Sequence, residues 1–351
     1  MVKVSPDDYP NRRKITSELW SKYKRDIVIC NVCERHCYIA NGYTGFCGNY
    51  ANFNGELYYV SYGNLSAIES RPIEIKPLFH FYPNSTALTF SGWGCNFKCK
   101  HCQNWHLSMY NPDGKYRVIE PSELVEMAIK RGDDGLCASF NEPTIHTPYL
   151  IDCFKLAKEK GLYNVIVSNG YMSLKCMDLL IESGLDGLNI DIKGCPESHK
   201  KHLPGINPEV IYRNAKYFLD HNIHVEMIFL IVTGINDDFE CINWVLKKHV
   251  DTLGPDIPLH INRYYPAYKY HAPPTPLETL LEAYRLAKEE YGIKYVYIGN
   301  IWDPTYETTY CPECGRPLIV RDGYRVVESR LDRNKCRRCG AKIYLTGVVY
   351  A

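Results

Sequence analysis

The chain has 351 residues, 45% hydrophobic and 23% charged, with 41 basic against 40 acidic side chains. This composition allows two or three globular domains and excludes disordered, collagenous and fibrous classes. The net charge of +1 provides no field to draw the whole chain onto nucleic acid or anionic lipid, and the longest apolar run, residues 227–232, is far short of the ~20 that span a bilayer.

In chain order, the first ten residues contain no apolar secretory core, so the chain reads as cytoplasmic with no membrane partner. In that compartment its 16 cysteines point to metal ligation rather than disulfides. Residues 1–84 read as an N-terminal four-cysteine extension with short strand-like pieces such as 56–60. Cys30, Cys33, Cys37 and Cys47 have ligand spacing, and His36 is a possible substitute donor. Zinc and an auxiliary iron–sulfur cluster both fit there. Either would staple a Gly-rich segment with few apolar residues.

Residues 85–304 alternate β-rich runs with segments of helical period. The spacing predicts strands over 87–91, 136–140, 164–168, 187–192, 224–232 and 258–262, with 294–298 beyond. Helices are predicted over 122–130, 149–159, 174–181, 208–219, 240–248 and 276–289, the first capped by Ser122. Alternation of this kind predicts parallel βαβ units, and six of them suit a partial (β/α)6 barrel rather than a closed one.

The first strand runs into Gly94-Cys95-Asn96-Phe97-Lys98-Cys99-Lys100-His101-Cys102. Three thiolates on one tight loop can hold three irons of a cubane cluster and leave the fourth open. A zinc site would want a fourth donor, which His101 or His106 could supply. Polar residues then recur at the ends of the predicted strands: Asn141 and Glu142, Ser168 and Asn169, Asp191 and Lys193, His260. In parallel barrels this rim carries the active site. The isolated cysteines 137, 153, 176, 195 and 241 read as buried hydrophobes.

Residues 305–351 form a zinc-ribbon-like tail. Cys311-x2-Cys314 and Cys336-x2-Cys339 are two knuckles, each followed by glycine, whose spacing predicts tetrahedral zinc. An iron–sulfur cluster is the alternative. The basic residues around the second knuckle read as a solvated face, so nucleic acid is not expected as a partner. A competing reading of all three cysteine groups is a non-enzymatic multi-zinc adaptor.

The triplet Cys95-x3-Cys99-x2-Cys102, with His101 before the last cysteine, resembles the signature of radical S-adenosylmethionine (SAM) enzymes. Pro72-Ile73-Glu74-Ile75-Lys76-Pro77, Gly94-Cys95-Asn96-Phe97, Cys102-Gln103-Asn104-Trp105 and the segments 163–170 and 295–300 resemble more narrowly the pyruvate formate-lyase activating-enzyme-like group, the radical SAM members of the AmmeMemoRadiSam set. The resemblance covers residues 30–345. It implies a 4Fe-4S cluster on Cys95, Cys99 and Cys102, with SAM chelated at the open iron. Reductive cleavage to a 5′-deoxyadenosyl radical would follow, then hydrogen abstraction from a substrate, as in a glycyl-radical protein activase or another modification of a peptide or small molecule. It further implies a low-potential electron donor. An open six-unit barrel would expose a cleft with the aromatic lip 264–270, and with four-cysteine modules at both ends this points to a protein or peptide substrate rather than a metabolite. Glu142 would meet the SAM ammonium and Ser168 and Asn169 its carboxylate or ribose, with Asn141 among the cofactor-binding residues. Asp191 and Lys193 would line its methionine side, and His260 would stand near the active site. Asn141-Glu142-Pro143 replaces the Gly-Gly-Glu of many such enzymes.

Overall fold

The computed structural model describes residues 1–110 and 116–350. Eight strands form the central sheet: β1 (Ala67–Pro72), β2 (Thr86–Ser91), β3 (Gly135–Ala138), β4 (Tyr163–Ser168), β5 (Gly187–Ile192), β6 (His224–Ile231), β7 (Leu259–Arg263) and β8 (Val296–Gly299). Their spatial order is their chain order. The pairs β2–β3, β3–β4, β5–β6, β6–β7 and β7–β8 run parallel. β1 is an antiparallel edge, since Ser66 N bonds Ser91 O (2.8 Å) while Ile73 N bonds Ser85 O (3.0 Å).

The crossovers are helices α1 (Pro121–Arg131), α2 (Thr147–Glu159), α3 (Leu174–Glu182), α4 (Pro208–Asp220), α5 (Phe239–Leu253) and α6 (Leu277–Arg285). Their starts follow local chemistry. Ser173, Asn207 and Asp238 each accept a bond from the first turn of α3, α4 and α5, and Pro121 and Pro208 occupy the first turn of α1 and α4. Glu120, not Ser122, is the residue before α1, because Pro121 already has helical φ and moves the start one residue earlier.

The sheet therefore has eight strands where six units were expected. The additional edge strand β1 lies in the segment read as the N-terminal extension. Its Ala67-Ile68-Glu69-Ser70-Arg71-Pro72 is half-exposed and lacks the apolar run that marks a central parallel strand. β6 is the opposite case, buried at seven of its eight positions.

The chain divides into two compact units, residues 1–70 with 87–186, and residues 71–86 with 187–351. In the first unit, strand Ile27–Cys30 pairs antiparallel with Cys37–Ala40, and Tyr50–Phe53 with Glu56–Tyr59. In the second, the tail builds a three-stranded sheet around Pro317–Asp322. Its Cys311, Leu318, Ile319 and Cys336 share a core with Phe79, Tyr295 and Tyr297. No helix among the described residues is long and apolar enough to cross a membrane.

Candidate functional site

The site in the first unit is built on the loop that leaves β2. Gly92 has no room for a side chain, because a Cβ there would stand 2.3 Å from the His146 ring. Gly94 adopts φ +85°, and a Cβ would meet Cys47 O at 2.6 Å, so the loop lies directly against the N-terminal cysteine segment. Asn49 fixes that approach, its side-chain amide donating to Cys47 O (3.2 Å) and Trp93 O (2.8 Å). The loop then folds back, Gly94 N donating to Leu107 O at 2.9 Å.

Cys95 and Cys102 are half-buried and Cys99 buried, all as free thiols. Phe97 N donates to Cys95 Sγ at 3.3 Å, a bond that suits a thiolate ligand. Burial and the nearby Glu142 carboxylate push the Cys95 thiol well above its ordinary pKa, a penalty that a cation at the sulfur would cancel.

The ends of β3 and β4 meet at Glu142, which is 2% exposed. Oε1 accepts from Thr144 N (3.0 Å), Thr144 Oγ1 (2.5 Å) and Ser168 Oγ (2.7 Å), while Oε2 accepts from Asn169 N (2.8 Å). Burial raises the carboxyl's pKa and these donors oppose the rise. Phe140, just upstream, is held at φ +68°, a conformation costly for a bulky residue. Asn141 donates to Gly94 O at 3.0 Å and pairs with His146 Nε2, also at 3.0 Å. Asn104, beyond Cys102, donates to Phe140 O at 2.7 Å.

Asn96 is the residue that sequence reasoning missed. It is fully buried and lies in the chain between Cys95 and Cys99. Its Oδ1 accepts from Asn169 Nδ2 at 2.7 Å and lies 3.9 Å from Cys95 Sγ, and it lines the same cavity as Cys33. Position within Cys-x3-Cys was the one available signal. Cys95, Asn141, Glu142, Ser168 and Asn169 thus belong to one connected neighbourhood, and Cys99 and Cys102 lie on the same loop as Cys95.

The second unit holds Asp191, Lys193 and His260. Lys193 Nζ pairs with Asp191 Oδ2, and Asn236 Nδ2 fixes the turn by donating to Lys193 O (2.9 Å) and Leu230 O (3.0 Å). Asp191 Oδ1, Thr233 Oγ1 and Asn262 Oδ1 are buried acceptors without a partner. His260 is elsewhere: it is 2% exposed, with Nε2 on Glu226 Oε2 at 2.8 Å, stacked on Tyr297. Glu226 also takes His224 Nε2 (3.1 Å) and His80 N (2.7 Å). Burial alone would raise this carboxyl's pKa, and the histidine bonds overcome it and hold the group ionised.

In the tail, Cys311, Cys314, Cys336 and Cys339 bring four sulfurs within 4.8 Å of one another. The 3.6 Å Cys311–Cys339 and 3.8 Å Cys314–Cys336 separations match the ~3.8 Å edge of a tetrahedron of thiolates about 2.3 Å from one ion. At the N-terminus, Cys30, Cys33, Cys37 and Cys47 line one cavity. His36 is turned from it, its ring bonded to Asn31 Oδ1 at 3.0 Å and paired with Glu34 at 3.5 Å.

Comparison with known proteins accords with this geometry. The Radical SAM superfamily profile matches residues 91–247. The chain is 40% identical to the uncharacterized protein MJ0808 of Methanocaldococcus jannaschii over 328 residues, 92% of this chain and 97% of that one. It is 30% identical over 158 residues to MJ1632 of the same organism, named as a glycyl-radical enzyme activating enzyme, covering 44% of this chain and 59% of that one. It is 24% identical over 152 residues to the pyruvate formate-lyase 1-activating enzyme of Escherichia coli K12, covering 41% of this chain and 61% of the relative. The two activating-enzyme relatives are thus matched over about three-fifths of their length. From the matched segment, its cysteine loop and these relatives, the chain belongs to the radical SAM superfamily.

Proposed function

We propose that this chain cleaves SAM reductively at a 4Fe-4S cluster on Cys95, Cys99 and Cys102, and abstracts hydrogen from a protein or peptide substrate in the manner of an activating enzyme. The observation that carries the reading is the bond network joining the cysteine loop to the ends of β3 and β4 through Asn96, Asn169 and Glu142.

The donor set fits the cluster. Three sulfurs leave one iron free of protein, and Phe97 N and the Asn96 side chain lie near Cys95. Once bound, cluster and SAM supply a 5′-deoxyadenosyl radical by one-electron cleavage of the sulfonium. The protein's own part is positional. Glu142 Oε2 carries one bond from Asn169 N and keeps a lone pair, so it is assigned to the SAM ammonium. Ser168 and Asn169 hold Glu142 in place, and Asn141 ties it to Gly94. Within the second unit, the orphaned Asp191 Oδ1 supports a polar ligand beside Asp191 and Lys193. We do not assign His260 to SAM, because Glu226 holds its Nε2 inside the second unit.

A macromolecular substrate is supported by exposed aromatics that a metabolite would not need. Trp302 is 92% exposed in the loop after β8, and Tyr265 after β7 is tied to that loop through Asn300 O at 3.2 Å. Tyr264, by contrast, is buried with its hydroxyl on Tyr270 O. In the tail we propose structural zinc on Cys311, Cys314, Cys336 and Cys339.

The test is transfer of label. Reduced protein is incubated with SAM and either deuterated proteins or deuterated small molecules from its own source. Deuterium in 5′-deoxyadenosine is expected from the protein fraction. Label arriving from small molecules alone would overturn the substrate class.

A further inference from the structure

We infer that Cys30, Cys33, Cys37 and Cys47 hold a second iron–sulfur cluster rather than zinc, coupled to the first through Asn96. The inference rests on the radical SAM reading for its partner cluster, not for its own ligands.

The two flanking cysteine groups differ in shape. In the tail, four sulfurs crowd to the spacing of ligands on one ion, and they are the one such group among the described residues. At the N-terminus the four cysteines instead line one cavity without their sulfurs being gathered to that spacing, and Val32, Phe46, Tyr50 and Ile145 complete an apolar wall. Zinc draws its thiolates to ~2.3 Å and leaves no room inside. A cubane attaches each thiolate to a different iron and so holds the four sulfurs farther apart than one ion does.

Charge supports the same assignment. Four thiolates around a cluster leave a net negative site. Arg35 lies 3.7 Å above the Phe46 ring of the cavity wall, with Lys98 5.7 Å from the same ring. The Arg35 guanidinium also donates to Asn96 O, which fixes it between the two cysteine groups. Cys30, Cys33 and Cys47 are each less than 9% exposed, which shields a cluster from water and oxygen.

The coupling is structural. Asn96 lines the N-terminal cavity together with Cys33 and stands beside Cys95 Sγ, and a Cβ at Gly94 would meet Cys47 O. A one-electron reductant of the low-potential iron–sulfur or flavin protein class would reduce the second cluster. That cluster would then give the same electron to the first and return to its oxidised state, with no bond or proton exchanged.

The test is metal content of the full chain, reconstituted anaerobically with iron and sulfide. Wild type should carry about eight irons, four from each cubane. The Cys95/Cys99/Cys102→Ala variant leaves the N-terminal ligands untouched and should keep about four irons, with a cluster signal in electron paramagnetic resonance after reduction. Cys30/Cys33→Ser should keep the other four, and circular dichroism reports whether it folds. Zinc in place of iron in the Cys95/Cys99/Cys102→Ala variant overturns the inference and leaves the radical SAM reading intact. Iron in that variant but none in a folded Cys30/Cys33→Ser variant upholds the inference and defeats that reading.

Discussion

Glu142 joins a structural role to the ligand role proposed for it. Four donors from three residues converge on it, so replacing it with Ala would strand Ser168 Oγ and Asn169 N as well as removing charge. Glu142→Gln is the sharper change, because it keeps the shape and sets an amide against donors. An unmatched buried group costs about 1–3 kcal/mol, so SAM affinity should fall roughly 5- to 150-fold by calorimetry. Iron content should stay unchanged. An undiminished affinity would place the SAM ammonium elsewhere. Gly94 allows a second test at this scale. Gly94→Ala adds both left-handed strain and a clash with Cys47 O, whereas Gly132→Ala at φ +75° has open space and adds strain alone. Gly94→Ala should therefore lower Tm distinctly more than Gly132→Ala, and equal losses would contradict the packing of the cysteine loop on the N-terminal segment.

At the scale of elements, the sequence made the strands and helices legible wherever period and capping agreed. The predicted 187–192 strand and 174–181 helix lie within a residue of Gly187–Ile192 and Leu174–Glu182. β1 escaped because an edge strand needs no continuous apolar run, and its charges are tolerated where one side faces solvent. The Cys95, Cys99 and Cys102 triplet stands out in the sequence because its spacing is local in the chain. Asn96 does not, because its importance comes from Cys33 and Asn169, more than 60 residues away on either side. Likewise Glu226, within an apolar run, gave no sign that His224, His260 and the His80 backbone would gather on it. The tail offers a prediction of its own kind. If zinc staples its knuckles, a chelator that removes about one zinc per chain should lower Tm by roughly 5 °C or more, because the binding energy of the ion is folding energy. Zinc loss at constant Tm would show that the tail folds without metal.

For the whole molecule, several histidines are buried neutral. Burial holds His80 and His146 down to about 3 and His249 down to about 4, from an ordinary value near 6.5. Between those values and 6.5 the unfolded chain binds protons that the folded chain does not, so stability rises with pH and is lost on acidification. Each such group contributes up to about 1.4 kcal/mol per pH unit in that window. Glu226 acts with the same sign lower down, since its depressed carboxyl gives stability above the ordinary carboxylate value that is lost as pH falls below it. Thermal midpoints should therefore fall from pH 7 to pH 5, by less than the histidines alone would give, because Glu307, its carboxyl pushed up to about 7 by burial, acts with the opposite sign there. His249→Gln, whose partner is the single carbonyl of Ile257, should flatten that slope. A pH-independent midpoint over the range would contradict neutral burial. Above all of this stands the chemistry of Cys95, Cys99 and Cys102, and the most direct measurement is 5′-deoxyadenosine formed from SAM by anaerobically reconstituted, reduced protein. Wild type should form it slowly even without substrate, and Cys99→Ala should lose both the triplet's cluster and the product. Full cleavage by Cys99→Ala, or none by iron-loaded wild type, would contradict the account.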